Sequence, residues 1–110
     1  MNILYVCSRN KRRSRTAEKI FANDPRFFVK SAGFSAQSPV KLNEKHLLWA
    51  DIIFVMEYEH SKRLKKLFRN INLPPILVLG IKDHFEFMDK RLIEMLRLKT
   101  DEYLSQMTTM

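Results

Sequence analysis

Apolar and polar positions alternate in blocks along the chain. Ile3-Leu4-Tyr5-Val6 is a short run of β-favouring residues, the pattern of a strand covered on both faces, and Ser14 to Ala22 has the spacing of a helix. A polar loop separates them. Phe27 to Ala32 repeats the strand pattern and stops at Gly33, after which a Ser/Gln loop carries the chain to Pro39. Asn43 then stands as the N-cap of a helix holding His46, Leu47, Leu48 and Trp49, followed by the buried strand Asp51 to Met56. From Glu59 to Phe68, Leu64, Leu67 and Phe68 recur among lysines and arginines, which predicts a basic amphipathic helix. Pro74-Pro75 separates it from a fourth strand, Ile76 to Leu79. The last helix is predicted from Asp89, its N-cap, to Leu104, with Leu92, Ile93, Leu96 and Tyr103 along one side.

Strands alternating with helices predict an open parallel α/β sheet, a fold that binds ligands at the carboxyl ends of its strands. With 110 residues the chain fits one domain, spanning 1–110, large enough for a core without disulfide or metal support. It has one cysteine. That excludes an internal disulfide, a Cys-only zinc site and a thiol relay within the chain, and it fits a reducing compartment. The apolar start is too short for a signal peptide, with Arg9 on the wrong side of it, and no apolar run approaches the ~20 residues of a membrane span. The expected location is the cytoplasm, without a membrane partner.

Charge narrows the partners. Lys and Arg number 20 against 12 Asp and Glu, giving a net charge of +8 and pointing to nucleic acid, an anionic membrane surface or a phosphorylated substrate. Position discriminates where the total does not. Five of the seven residues from Arg9 to Arg15 are basic, and they follow the first strand directly. Lys62, Arg63, Lys65, Lys66 and Arg69 read instead as the solvated face of an amphipathic helix, without the interleaved aromatics that stack on nucleic-acid bases.

The segment Val6-Cys7-Ser8-Arg9-Asn10-Lys11-Arg12-Arg13-Ser14 places a thiol at a strand end and an arginine and a hydroxyl at a helix start. A loop returning to a helix N-terminus aims backbone N–H groups inward, a concavity suited to phosphate. Arg13 can grip two phosphate oxygens with its planar fork, and the same positive surroundings favour the nucleophilic thiolate of Cys7. Ser14 can donate a hydrogen bond to that sulfur when it leaves. A lone buried cysteine is more often a small hydrophobe, so the strand-loop-helix setting is what gives the spacing meaning.

Val6-Cys7-x-x-Asn10-x-x-Arg13-Ser14-x-x-Ala17-Glu18 resembles the phosphate-binding loop of the low-molecular-weight protein tyrosine phosphatases. Ser31-Ala32-Gly33 and Ala50-Asp51-Ile52-Ile53-Phe54-Val55-Met56 resemble that family's second and third strands, so the likeness covers most of the chain in order. It implies a three-layer α/β/α fold with a four-stranded parallel sheet and a phosphate-monoester hydrolase acting through a phosphocysteine on Cys7, without cofactor or metal. Arg13 becomes the phosphate clamp, Asn10 the holder of the loop, and Ser8, Arg9, Lys11, Arg12 and Ser14 the rest of the cradle. Asp83, in Ile81-Lys82-Asp83-His84-Phe85, takes the place of the general acid, with Asp89 as competitor, and Phe85 would flank the substrate ring. The implied partners are a phosphorylated protein or small aryl phosphate, with inorganic phosphate as product and inhibitor.

The chain departs from the family pattern at several positions. Arg9 stands where the family usually has Gly, Arg12 where it often has a second Cys, Arg15 where it has Pro, and His84 where Pro follows the acid. Arg9 must therefore either accept the backbone angles a glycine would take or alter the loop. The segment between Gly33 and Asp51 is compressed. Two further readings stay open: a phosphate- or phosphoprotein-binding module with poor turnover, and a basic nucleic-acid-binding domain. Arsenate reduction, known on the same fold, needs partner thiols that this chain lacks. His46, His60 and His84 show no metal-ligand spacing and read as isolated histidines, with His84 placed to tune Asp83. The methionines from Met95 onward read as core filler and a frayed tail.

Overall fold

The computed structural model describes residues 1–108; Met110, part of the expected tail, lies outside the described residues. The elements are β1 (Asn2–Cys7), α1 (Arg13–Phe21), β2 (Phe28–Gly33), α2 (Glu44–Trp49), β3 (Ile52–Val55), α3 (Tyr58–Leu67), β4 (Ile76–Val78) and α4 (Lys90–Thr108). The four strands form one parallel sheet in the order β2-β1-β3-β4, with Val6 beside Ala32 on one side and Val55 on the other. The chain leaves β1 for β2 and returns to the opposite side of β1 with β3. Loops that diverge at such a switch point leave a crevice between them at the carboxyl ends of the strands.

Strand alternation divides the apolar side chains between two layers. On one face Ile3, Tyr5 and Phe54 pack with Ala17 and Phe21 of α1 and Leu92 and Leu96 of α4; on the other Leu4, Val6, Ile53 and Val55 pack with Leu47 of α2 and Leu64 of α3. A three-layer α/β/α sandwich results. Polar ties fasten α4 to it: Tyr5 Oη lies 2.8 Å from Thr100 Oγ1, and Tyr103 Oη donates to the Val78 carbonyl. No helix among the described residues is long and apolar enough to cross a membrane.

Helix starts follow the caps. Asn43 accepts from the N–H groups of Lys45 and His46 while His46 Nδ1 accepts from Asn43 N–H, a reciprocal cap for α2. Asp89 Oδ1 accepts from Arg91 N–H at the start of α4, so the expected N-cap is in place. Other expectations need correction. Leu67 is 58% exposed, because the apolar side of α3 is carried by Leu64 and Phe68. Helix α4 runs on past Leu104 to Thr108, and Met107 packs against the core instead of fraying.

Candidate active site

The loop between β1 and α1 is fixed from below by Asn10. Its backbone sits in the left-handed region (φ 54°), a conformation Asn tolerates better than most residues, and its side chain is fully buried. Asn10 Nδ2 donates to Ser14 Oγ at 2.8 Å and to Ser31 Oγ at 2.9 Å, while Oδ1 accepts from Val40 N–H. Ser31 in turn donates to Glu18. Since Ser14 Oγ already accepts from Asn10, its own proton is free for Cys7 Sγ, 3.0 Å away. The Asn10 N–H also points at that sulfur, 3.3 Å distant. Two donors therefore converge on Cys7. Arg9 needs no glycine-like angles, because Asn10 and Met88 are the non-glycine residues with positive φ among those described.

Gly33 supports the same loop from the side. A Cβ there would meet Asn10 N at 2.7 Å and the Arg9 carbonyl carbon at 2.9 Å, so only glycine lets β2 approach this closely.

Arg13 is buried, with 3% of its side chain exposed. Its Nη1 donates to Glu57 Oε1 at 2.5 Å and to the Ile81 carbonyl at 2.8 Å, so one arm of the guanidinium is held from β3's exit loop and from the loop after β4. The Arg13 hydrogen bond holds the Glu57 carboxyl below its ordinary range. Asp83 Oδ1 lies 3.7 Å from Arg13 Nε on the remaining arm. Cys7, Ser8, Arg9, Lys11, Arg12, Arg13 and Asp83 line a cavity of about 130 Å³, room for a tetrahedral oxyanion with a few waters.

The residues singled out by sequence do not all reach this cavity. Asn10 and Ser14 act beneath it. Phe85, expected beside a substrate ring, does not line the cavity; it is half-buried against the α1/α4 core with the Arg91 guanidinium over its ring at 5.3 Å. Burial of that apolar ring outweighs exposure at the rim. Asp89 is engaged at the start of α4 and does not line the cavity either. His84 is exposed and stands outside it as well. Arg12 does line the cavity and also lies 3.7 Å from Glu86.

Glu57 and His60 escaped the sequence reading, and His60 is not an isolated histidine. It is buried, with Nδ1 accepting from Glu57 N–H at 3.1 Å, and with Nε2 3.0 Å from Ser8 Oγ in the loop. The signal was there: Asn43-x-x-His46 and Glu57-x-x-His60 share one spacing, and Glu57 follows a buried strand whose carboxyl end faces the site. Among the described residues no group of His, Cys, Asp and Glu converges as a metal site.

No protein-family model matches the chain, and no curated protein matches it significantly. Solved structures do. A low-molecular-weight protein tyrosine phosphatase from Streptococcus pyogenes superposes with a TM-score of 0.73 at 14% identity, over 96% of this chain and 91% of that one. Wzb from Vibrio vulnificus, in complex with benzylphosphonate, gives 0.70 at 19% identity over 99% and 98%. The YwlE arginine phosphatase from Geobacillus stearothermophilus gives 0.69 at 20% identity over 97% and 96%. Four parallel strands, their order of helices and end-to-end superposition give this chain the fold of the low-molecular-weight protein tyrosine phosphatases.

Proposed function

We propose that the chain is a cytoplasmic phosphate-monoester hydrolase of the protein tyrosine phosphatase type, working through a phosphocysteine on Cys7. The observation that carries this reading is the meeting of Cys7, Arg13 and Asp83 in one small cavity at a helix N-terminus. Loop N–H groups and the arm of Arg13 away from Nη1, which Asp83 faces at 3.7 Å, bind the phosphate oxygens, the guanidinium being oriented by the two bonds on Nη1. Cys7 Sγ attacks phosphorus, the P–O ester bond breaks, and the Asp83 carboxyl gives its proton to the departing oxygen. Water then attacks the S-bound phosphoryl group and gives a proton to the Asp83 carboxylate. The S–P bond breaks, and its electron pair returns to the sulfur facing Ser14 and Asn10.

The rim bears on the substrate. Arg9 and Lys11 are exposed there and have no ion-pair partner among the described residues. Such a mouth favours an acidic phosphoprotein and disfavours a phosphoarginine, whose guanidinium would meet like charge, despite the arginine phosphatases among the structural neighbours. Hydrolysis of a phosphotyrosine peptide by the native chain, abolished in Cys7→Ser, is the expected result. Phosphate binding without turnover would reduce the protein to a binding module, and binding to nucleic acid unaffected by phosphate would favour the basic-domain reading.

A further inference from the structure

We propose that His60 fixes the Ser8 hydroxyl as an additional hydrogen-bond donor to the bound phosphate, an inference that rests on the phosphatase reading. The two hydrogen bonds of His60 determine its proton. Nδ1 accepts the Glu57 N–H at the start of α3, so it carries no hydrogen, and Nε2 of the neutral ring carries the one available. That Nε2–H can only donate, and its partner at 3.0 Å is Ser8 Oγ. Ser8 accepts there, which leaves its own proton to be placed. Ser8 lines the cavity with Cys7 and Arg13, so the free O–H is directed to an anion in it.

The surroundings hold the imidazole in this state. His60 is 6% exposed and stacks on Phe34, ring centres 5.7 Å apart, and Phe34 is in turn covered by the Arg63 guanidinium at 4.8 Å. Burial first, then the Arg13 and Arg63 charges, disfavour protonation, and the Glu57 and Asp83 carboxylates, which favour it, do not make up the difference; the value falls from 6.5 to about 4. Protonation would put a hydrogen on Nδ1 facing the Glu57 N–H. Backbone contacts fix the other partner, since Ser35 N–H donates to the Ser8 carbonyl at 2.8 Å. Ser8 is therefore held from both sides, and His60 acts as a positioning residue through it.

The experiment measures inorganic phosphate, by calorimetric titration and as a competitive inhibitor of p-nitrophenyl phosphate hydrolysis, on the native chain and on Ser8→Ala, Ser8→Thr, His60→Ala and the Ser8→Ala/His60→Ala pair. A hydrogen bond to a charged group predicts phosphate affinity weakened about tenfold in Ser8→Ala, with KM rising more than kcat falls, and recovery of most of the loss in Ser8→Thr. His60→Ala should match Ser8→Ala, and the pair should lose no more than either alone. A purely structural His60 would lower the melting temperature and leave phosphate affinity alone. Phosphate bound as tightly by Ser8→Ala as by the native chain overturns the proposal while leaving the phosphatase reading intact. So do losses that add in the pair. Should His60→Ala fail to fold, the Ser8→Ala and Ser8→Thr comparison still decides. A native chain that binds no phosphate overturns both readings.

Discussion

Asp83 and Asp89 compete for one role at the scale of single residues, and geometry separates them. Asp83 shares the cavity with Cys7, whereas Asp89 spends its carboxylate on the Arg91 N–H. Asp83→Asn should therefore slow hydrolysis of phenyl phosphate, whose leaving group needs a proton, by about 10²–10⁴-fold and that of p-nitrophenyl phosphate far less. Asp89→Asn should change the ratio between the two substrates little; equal losses on both substrates in Asp83→Asn would remove it from the role. His60 predicts a pH effect on stability. Its folded value, about 4 against an ordinary 6.5, means that the unfolded chain takes up the proton first, so its contribution is complete above about pH 6.5 and lost as pH falls toward 4. Burial lowers His46 in the same sense, whereas Glu57, held low by Arg13, adds its loss only at more acid pH. Melting temperatures between pH 7 and 4.5 should fall less in His60→Gln, which keeps a glutamine at the cap position but does not titrate. An identical slope in both proteins would contradict the assignment.

Elements show why part of the site was legible and part was not. Cys7, Arg13 and Ser14 announce themselves because thiol, guanidinium and hydroxyl at that spacing have few purposes at a strand-to-helix turn. Their supports are ordinary residues made important by packing. Ser31 and Gly33 read as the end of a strand, yet one hydrogen-bonds Asn10 and the other lets the loop lie against β2. Glu57 and His60 read as the entry to a basic helix, and only the switch between β1 and β3 brings them to Arg13 and Ser8. Strand positions were legible from apolar runs and proline punctuation. The expected end of α4 at Leu104 is one turn short, although Met107, three residues after Leu104 and four after Tyr103, continues the same apolar face. The half-burial of Phe85 on the core was not legible, because nothing in the sequence after Asp83 shows which core lies beneath that ring. The support given by β2 predicts that Gly33→Ala, whose methyl would collide with Ser38 Oγ as well as the Asn10 and Arg9 backbone, destabilises the fold by about 1–3 kcal/mol. The shifted loop should also cost kcat/KM on the order of 10²-fold. Native-like kinetics in this variant would show that the contact does not position the loop.

The whole molecule carries a net charge of +8, and its cationic rim stands at the mouth of the cavity. An acidic phosphotyrosine peptide should show a higher kcat/KM than a neutral one at low ionic strength, with the advantage shrinking as salt brings the Debye length to about 10 Å at 0.1 M and below. Equal values for the two peptides at low salt would leave those charges as aids to solubility. Two donors point at the sulfur of Cys7, which shares its cavity with the buried Arg13. The most direct measurement is mass spectrometry of the acid-quenched native chain and of Asp83→Asn during turnover of p-nitrophenyl phosphate. One phosphoryl group on the peptide containing Cys7, more abundant in Asp83→Asn because its water step is slowed, is the predicted result. Turnover with no phosphoryl group on that peptide, or turnover retained in Cys7→Ser, would contradict it.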